Sequence, residues 1–224
     1  SIFMQWRIAR RMMDAPGALI IALLLALSYH HVWFSQNARG YTGLLFFCSA
    51  ATLAFIKGME KPGWLIWTGY GLLVSAAMYM HMSAGFFFVS HGVIYAGIAG
   101  QALLKRGQET RWPGAAQWWP VFGIGLSIII TLALYAPVIG QALATIGEVS
   151  KASAAPGGAA LAEWRNPLRA VWEIGQSISS AGPLVPLILL GAVLVLAAGV
   201  MDLFRRDPVL VAIYVVHVPL AMLL

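Results

Sequence analysis

The fold class this sequence predicts is all-α: a polytopic bundle of transmembrane helices, with about seven complete spans and one truncated span. Three observations carry that expectation. Of 224 residues, 60% are hydrophobic and only 10% are charged, and the mean hydropathy is +0.81, which leaves too little polar surface for a water-exposed domain of this length. The apolar residues are gathered into runs near the roughly 17 to 25 residues that cross a bilayer core as helix. The 14 Lys and Arg are scattered in small groups between those runs rather than on one face, so the net charge of +6 reads as membrane orientation, and nucleic acid is not a predicted partner.

Taken in order, Ser1 to Trp6 is the tail of the truncated helix, ending at Arg7, Arg10 and Arg11. The complete spans follow at Pro16 to Phe34, Tyr41 to Ile56, Gly63 to Met80, Ala84 to Leu104, Trp118 to Ala136, Gly182 to Met201 and Pro208 to Leu224. The second reaches span length only by drawing on its polar flanks. Pro62, Pro120, Pro183 and Pro208 fall in a first helical turn or just before it, where a missing N–H costs little. The arginines do precede an apolar run, but that run is span-length and lacks a small-residue cleavage site, so no cleavable signal peptide is read. The chain opens on serine and closes inside an apolar run; it is expected to be a piece of a longer polypeptide, with residues 1–224 forming one transmembrane domain.

Orientation follows from the cations. One side holds Arg7, Arg10, Arg11, Lys57, Lys61, Lys105, Arg106, Arg111, Arg205 and Arg206, and the other keeps Arg39, Lys151, Arg165 and Arg169. The positive-inside rule makes the first side cytoplasmic and puts Arg39 at the extracytoplasmic face. Trp33, Trp64, Trp67, Trp112, Trp118 and Trp119 stand near predicted span ends, where an aromatic belt belongs. A long connection at 137–181 lies on the Arg39 side. Its first half, around Ser150 to Gly158, reads as a flexible small-residue stretch. In its second half Asn166-Pro167 resembles an N-cap and first helical position, and Leu168, Val171, Trp172, Gly175 and Ile178 share a face, which predicts an amphipathic helix lying in the interface.

Familiar soluble chemistry leaves little trace. There is no phosphate loop, no His-Glu-x-x-His and no Gly-x-Ser-x-Gly, and Gly123-Ile124-Gly125 is too short for a dinucleotide fingerprint. The single Cys48 lies in an apolar run, which reads as packing and rules out a disulfide within the chain. Gly92, Ala96 and Gly100 recur every fourth residue and predict a ridge for close helix packing. His91 and His217 lie deep in their spans, as interhelical hydrogen-bond partners or as the lining of a polar cavity, whereas His30, His31 and His81 lie at outer span ends, on the Arg39 side.

The chain is organised around Ser35-Gln36-Asn37-Ala38-Arg39-Gly40-Tyr41-Thr42, a polar island between two apolar runs. A guanidinium there needs water, a headgroup or an anionic ligand. Arg39 is either a snorkelling anchor or a ligand-binding group. The run Tyr29-His30-His31-Val32-Trp33-Phe34-Ser35-Gln36-Asn37-Ala38-Arg39-Gly40-Tyr41, preceded by Arg10-Arg11 and an apolar span, resembles bacterial glycosyltransferase family 39, the protein-mannosyltransferase-like membrane enzymes. In that family a helix commonly ends in Tyr-Ser-Gln-Glu-Ala-Arg-x-Tyr, and Tyr79-Met80-His81 is similar to a second pattern at a later outer helix end. The likeness covers about Arg10 to Tyr95.

The resemblance implies a fold of the C-type glycosyltransferase superfamily, in a multi-pass protein of the bacterial inner membrane. It also implies a polyprenyl-phosphate sugar as donor and a lipid, glycan or protein hydroxyl as acceptor. Arg39, Tyr41 and Gln36 would hold the donor phosphate, and His30, His31, Asn37 and His81 would line the site. Asn37 stands where the family carries glutamate, which takes a carboxylate away from that position. The family's catalytic aspartate would lie upstream of Ser1, so the base is expected outside these residues. No cofactor is required by the residues themselves, and the resemblance leaves room for a divalent metal. A secondary transporter, or a membrane subunit that only packs, stays open as an alternative, although no inverted repeat and no mid-span carboxylate speaks for transport.

Overall fold

A computed structural model describes residues 1–36, 40–104, 118–154, 182 and 185–223. Among them the regular elements are all α-helices: α1 (Ile2–Ala9), α2 (Ala15–Leu27), α3 (Tyr29–Gln36), α4 (Tyr41–Glu60), α5 (Trp64–Met80), α6 (Ala84–Leu104), α7 (Trp119–Tyr135), α8 (Ile139–Ala154), α9 (Val185–Arg206) and α10 (Pro208–Leu223). The chain forms two compact units, Ser1–Leu134 with Leu203–Leu224, and Tyr135–Asp202.

The first unit is built on α4, which contacts α1, α3, α5, α6 and α10. Ala51, Phe55 and Met59 recur at helical spacing and turn one face of α4 inward, where they meet Trp67, Tyr70 and Val74 of α5, Phe87 of α6 and Leu210 and Ile213 of α10. Trp67 is wholly buried. It fits because two glycines flank it: a Cβ on Gly58 would stand 2.7 Å from the indole, and a Cβ on Gly123 would also stand 2.7 Å from it. This corrects the expectation that Trp67 belongs to an interfacial belt. Trp33, Trp64 and Trp118 are 45%, 58% and 60% exposed, as a belt requires, and Trp112 lies outside the described residues. The ridge expected at Gly92, Ala96 and Gly100 is also not where helices close up. Among the described residues no neighbouring element comes within 4 Å of a Cβ built on Gly92 or Gly100, and Gly92 and Ala96 instead line an open, largely apolar groove among α5, α6 and α7.

Seven complete spans are not reached among the described residues. Two helices are long and apolar enough to cross a membrane, Tyr41–Glu60 and Leu187–Arg206, or up to three if Trp119–Tyr135 and Ile139–Thr145 count as one bent span. Such helices are consistent with a membrane protein. The expected span at Pro16 to Phe34 is broken at Ser28, which leaves the helix at ψ 121°. Its carbonyl accepts from Val32 N–H at 3.0 Å and its hydroxyl from His31 N–H at 3.5 Å, so a serine able to cap a new helix starts α3 there. Trp64–Met80 is short for a span at 17 residues. Ala84–Leu104 has 21 residues but carries Ser90, His91 and Gln101. The second expected span is longer than predicted and runs 20 residues to Glu60.

One end of the first unit is closed by an ionic clamp. Arg11 in the α1–α2 connection reaches Glu60 at the end of α4 (2.6 Å) and Asp207 at the start of α10 (3.3 Å). Asp207 is 2% exposed and also accepts from Leu210 N–H at 3.2 Å, capping α10 beside Pro208. Burial draws the Arg11 guanidinium down in pKa, but the hydrogen bond and charge of Glu60, followed by those of Asp207, outweigh it and hold the group above its ordinary value. Arg206 donates to the Met12 carbonyl at 3.0 Å. Arg10, Arg11 and Lys61 lie in the connections at this end, and Lys57, Arg205 and Arg206 in the last turns of α4 and α9, so these cations, assigned to one side from sequence, share one end.

In the second unit, α8 runs through Ala154, so Ser150 to Ala154 are helical rather than flexible. Alanine, serine and lysine there are adequate helix formers, and the first proline comes only at 156. The expected interfacial helix around Asn166 to Ile178 lies outside the described residues. The Leu187–Arg206 stretch of α9 is the more apolar of the two span-length helices, and none of it is buried.

Candidate functional site

At the end of the first unit opposite the clamp, the connection leading into α4 meets the connection between α5 and α6. Gly40 makes the approach. Its φ of +74° lies in the left-handed region, and a Cβ there would stand 3.0 Å from the Met80 carbonyl oxygen, so glycine is required twice over. Gly43, one turn on, would bring a Cβ within 2.9 Å of the Met80 sulfur. The Tyr41 ring then lies 5.4 Å from the His81 ring, centroid to centroid.

His81 is held by Ser83. The Ser83 N–H donates to Nδ1 at 3.2 Å, with the Ser83 hydroxyl 2.7 Å from the same nitrogen. Nδ1 is therefore the acceptor, and the neutral ring carries its proton on Nε2. His31 is half-buried, with Nε2 3.3 Å from the Ser1 hydroxyl. Gln36 is exposed at the end of α3. Arg39 and Asn37 lie outside the described residues, as does the side chain of His30.

No family model, no curated protein and no solved structure matches the chain.

Below the Tyr41–His81 contact, a cavity of about 460 Å³ runs between α1, α4, α6 and α10. Tyr41 and Ser83 line it near the meeting of the two connections, and Gln5, Cys48, Ser49, Tyr214 and His217 line it further in, among leucines and phenylalanines. Gln5 donates to the Ser49 hydroxyl at 2.7 Å. His217 packs edge-on against Phe87, 5.1 Å between centroids, and its Nδ1 is buried without a hydrogen-bond partner among the described residues. Of the two roles open to the deep histidines, His217 thus lines a cavity. His91 takes the other and bridges helices, with Nε2 3.3 Å from the Thr52 hydroxyl and Nδ1 3.1 Å from that of Tyr70.

Of the residues predicted for the site, then, Tyr41 and His81 are brought together, His31 stands apart against Ser1, and Gln36 is exposed. Gln5, Ser49 and Tyr214 were missed. The signals for them are slight: a glutamine inside an otherwise apolar stretch, and Tyr214 three residues before His217, on the same helix face. Among the described residues no three His, Cys, Asp or Glu side chains gather in a way that could hold a metal ion.

Proposed function

We propose that this chain is part of a membrane glycosyltransferase of the family 39 type. It would move a sugar from a polyprenyl-phosphate donor to a lipid, glycan or protein hydroxyl at the extracytoplasmic face of a bacterial inner membrane. One observation carries the proposal: the two stretches that hold the resemblance, Tyr29 to Tyr41 and Tyr79 to His81, are distant in sequence yet meet through Gly40 against Met80 and Tyr41 against His81. Apart from one another, neither has a reason to resemble a site.

In the reaction, the bond between the sugar C1 and the phosphate oxygen breaks as the acceptor oxygen bonds C1, and the acceptor proton passes to a base. Negative charge grows on the departing phosphate. Donors fixed at a dry membrane edge stabilise such charge most. Arg39, directly before Gly40, is the cation for that task, with Tyr41 and Gln36 as further donors. With Nδ1 engaged by Ser83, His81 offers Nε2–H and serves as a donor rather than the base.

Arg39→Lys tests this. A guanidinium gives a phosphate two parallel N–H bonds, which an ammonium on a flexible stem cannot. The initial transfer rate of the full-length protein, at matched membrane expression, should fall about a hundredfold, the scale of one lost donor in a preorganised site. A snorkelling anchor would tolerate lysine, so near-wild-type turnover would sink the phosphate-binding role.

A further inference from the structure

A groove of about 320 Å³ lies between α1, α4 and α5, near the clamped end of the first unit and away from the Tyr41–His81 site. Its walls include Leu53, Leu65, Ile66 and Leu73, and two cations, Arg7 and Lys57, stand in it. Both are exposed. Among the described residues neither reaches a carboxylate, since the ion pairs there belong to Arg11. Arg7 and Lys57 lie about one helical turn from Arg11 and Glu60, at the polar end. From Lys57 to Ala50 and from Leu65 to Leu73 the walls run about 10 Å along their helices. Gly69 keeps the groove open, since among the described residues a Cβ built there meets nothing within 4 Å.

We propose that this groove binds an anionic glycerophospholipid, with its phosphate between Arg7 and Lys57 and an acyl chain along Leu53, Leu65, Ile66 and Leu73. Charge complementarity selects the headgroup: two cations without a carboxylate partner among the described residues, Arg7 lying 5.9 Å over the Phe3 ring, stand at the mouth of an apolar channel and match a phosphate carried on a hydrocarbon tail. A free phosphate would leave the apolar walls unused. This assignment is independent of the glycosyltransferase reading and concerns the opposite end of the unit.

The test is native mass spectrometry of the chain in non-ionic detergent, titrated with phosphatidylglycerol, with phosphatidylcholine of the same acyl chains, or with glycerol phosphate. Phosphatidylglycerol should bind with a stoichiometry of one, phosphatidylcholine more weakly, and glycerol phosphate not at all. At about a fivefold effect per cation near a membrane surface, Arg7→Gln with Lys57→Gln should weaken phosphatidylglycerol binding about thirtyfold. Lys61→Gln with Arg205→Gln removes the same charge outside the groove and should change little. Gly69→Leu keeps both cations while filling the groove, and it too should weaken binding. Equal losses in the two double variants would mean diffuse attraction and overturn the proposal, as would full binding by Gly69→Leu or tight binding of glycerol phosphate.

Discussion

His91 occupies a place that is costly for a polar side chain, wholly buried and ringed by Phe55, Phe87 and Phe88. It is tolerated because both ring nitrogens have partners. The Thr52 hydroxyl gives its own hydrogen to the Cys48 carbonyl at 2.9 Å, so towards His91 it can only accept, and Nε2 must carry the proton. Nδ1 is then left to accept from the Tyr70 hydroxyl. Tyr70→Phe removes that donor and strands a buried acceptor, which should destabilise the chain by about 1 kcal/mol. Unfolding in mixed micelles by titration with dodecyl sulfate would read the change; unaltered stability would mean the Tyr70 hydroxyl contributes nothing.

Among the elements, α4, α5 and α7 are locked by one aromatic side chain between two absent ones. Trp67 has Gly58 of α4 on one side and Gly123 of α7 on the other. A rigid indole cannot yield to a new methyl from either side, so Gly58→Ala and Gly123→Ala should each cost about 1 to 3 kcal/mol, the range for overpacking a filled core. In a Trp67→Leu background the added methyl has room, and the penalty of Gly58→Ala should shrink or change sign. The same micellar unfolding experiment gives all four corners of that cycle. Strict additivity would show that the glycines are small for some reason other than Trp67.

For the whole molecule, the Arg11 clamp joins connections that are far apart in sequence, at 11, 60 and 207. A carboxylate as buried as Asp207 is costly without its cation. Arg11→Met should therefore destabilise by about 3 to 5 kcal/mol, as expected when one partner of a buried ion pair is removed. Adding Asp207→Asn should recover part of the loss, because the uncompensated charge is gone. If Arg11→Met unfolds like the parent, the clamp is a surface ion pair in effect, and the ends of α4 and α10 are held by their apolar faces alone.

What the sequence determined by itself is what depends on composition and short-range pattern. The helical class follows from the apolar runs, the starts of α2 and α10 from Pro16 and Pro208, and the shared end of the Arg11, Lys61 and Arg206 segments from the distribution of charge. These are properties of a residue and its near neighbours, so they can be read along one dimension. The tertiary structure alone decided which side chains face each other across helices. Nothing local distinguishes Gly58, which admits Trp67, from Gly92, which meets open space, because a glycine's role depends on the atoms opposite its missing Cβ. For the same reason Trp67 read as a belt residue and proved to be core. Gln5, Ser49, Tyr214 and His217 became the wall of one cavity only when α1, α4 and α10 were brought together, and the break at Ser28 required a choice between continuing a helix and capping a new one. Such choices turn on the small free-energy differences between local hydrogen bonds and long-range packing, which are settled only when the packing partners are in place.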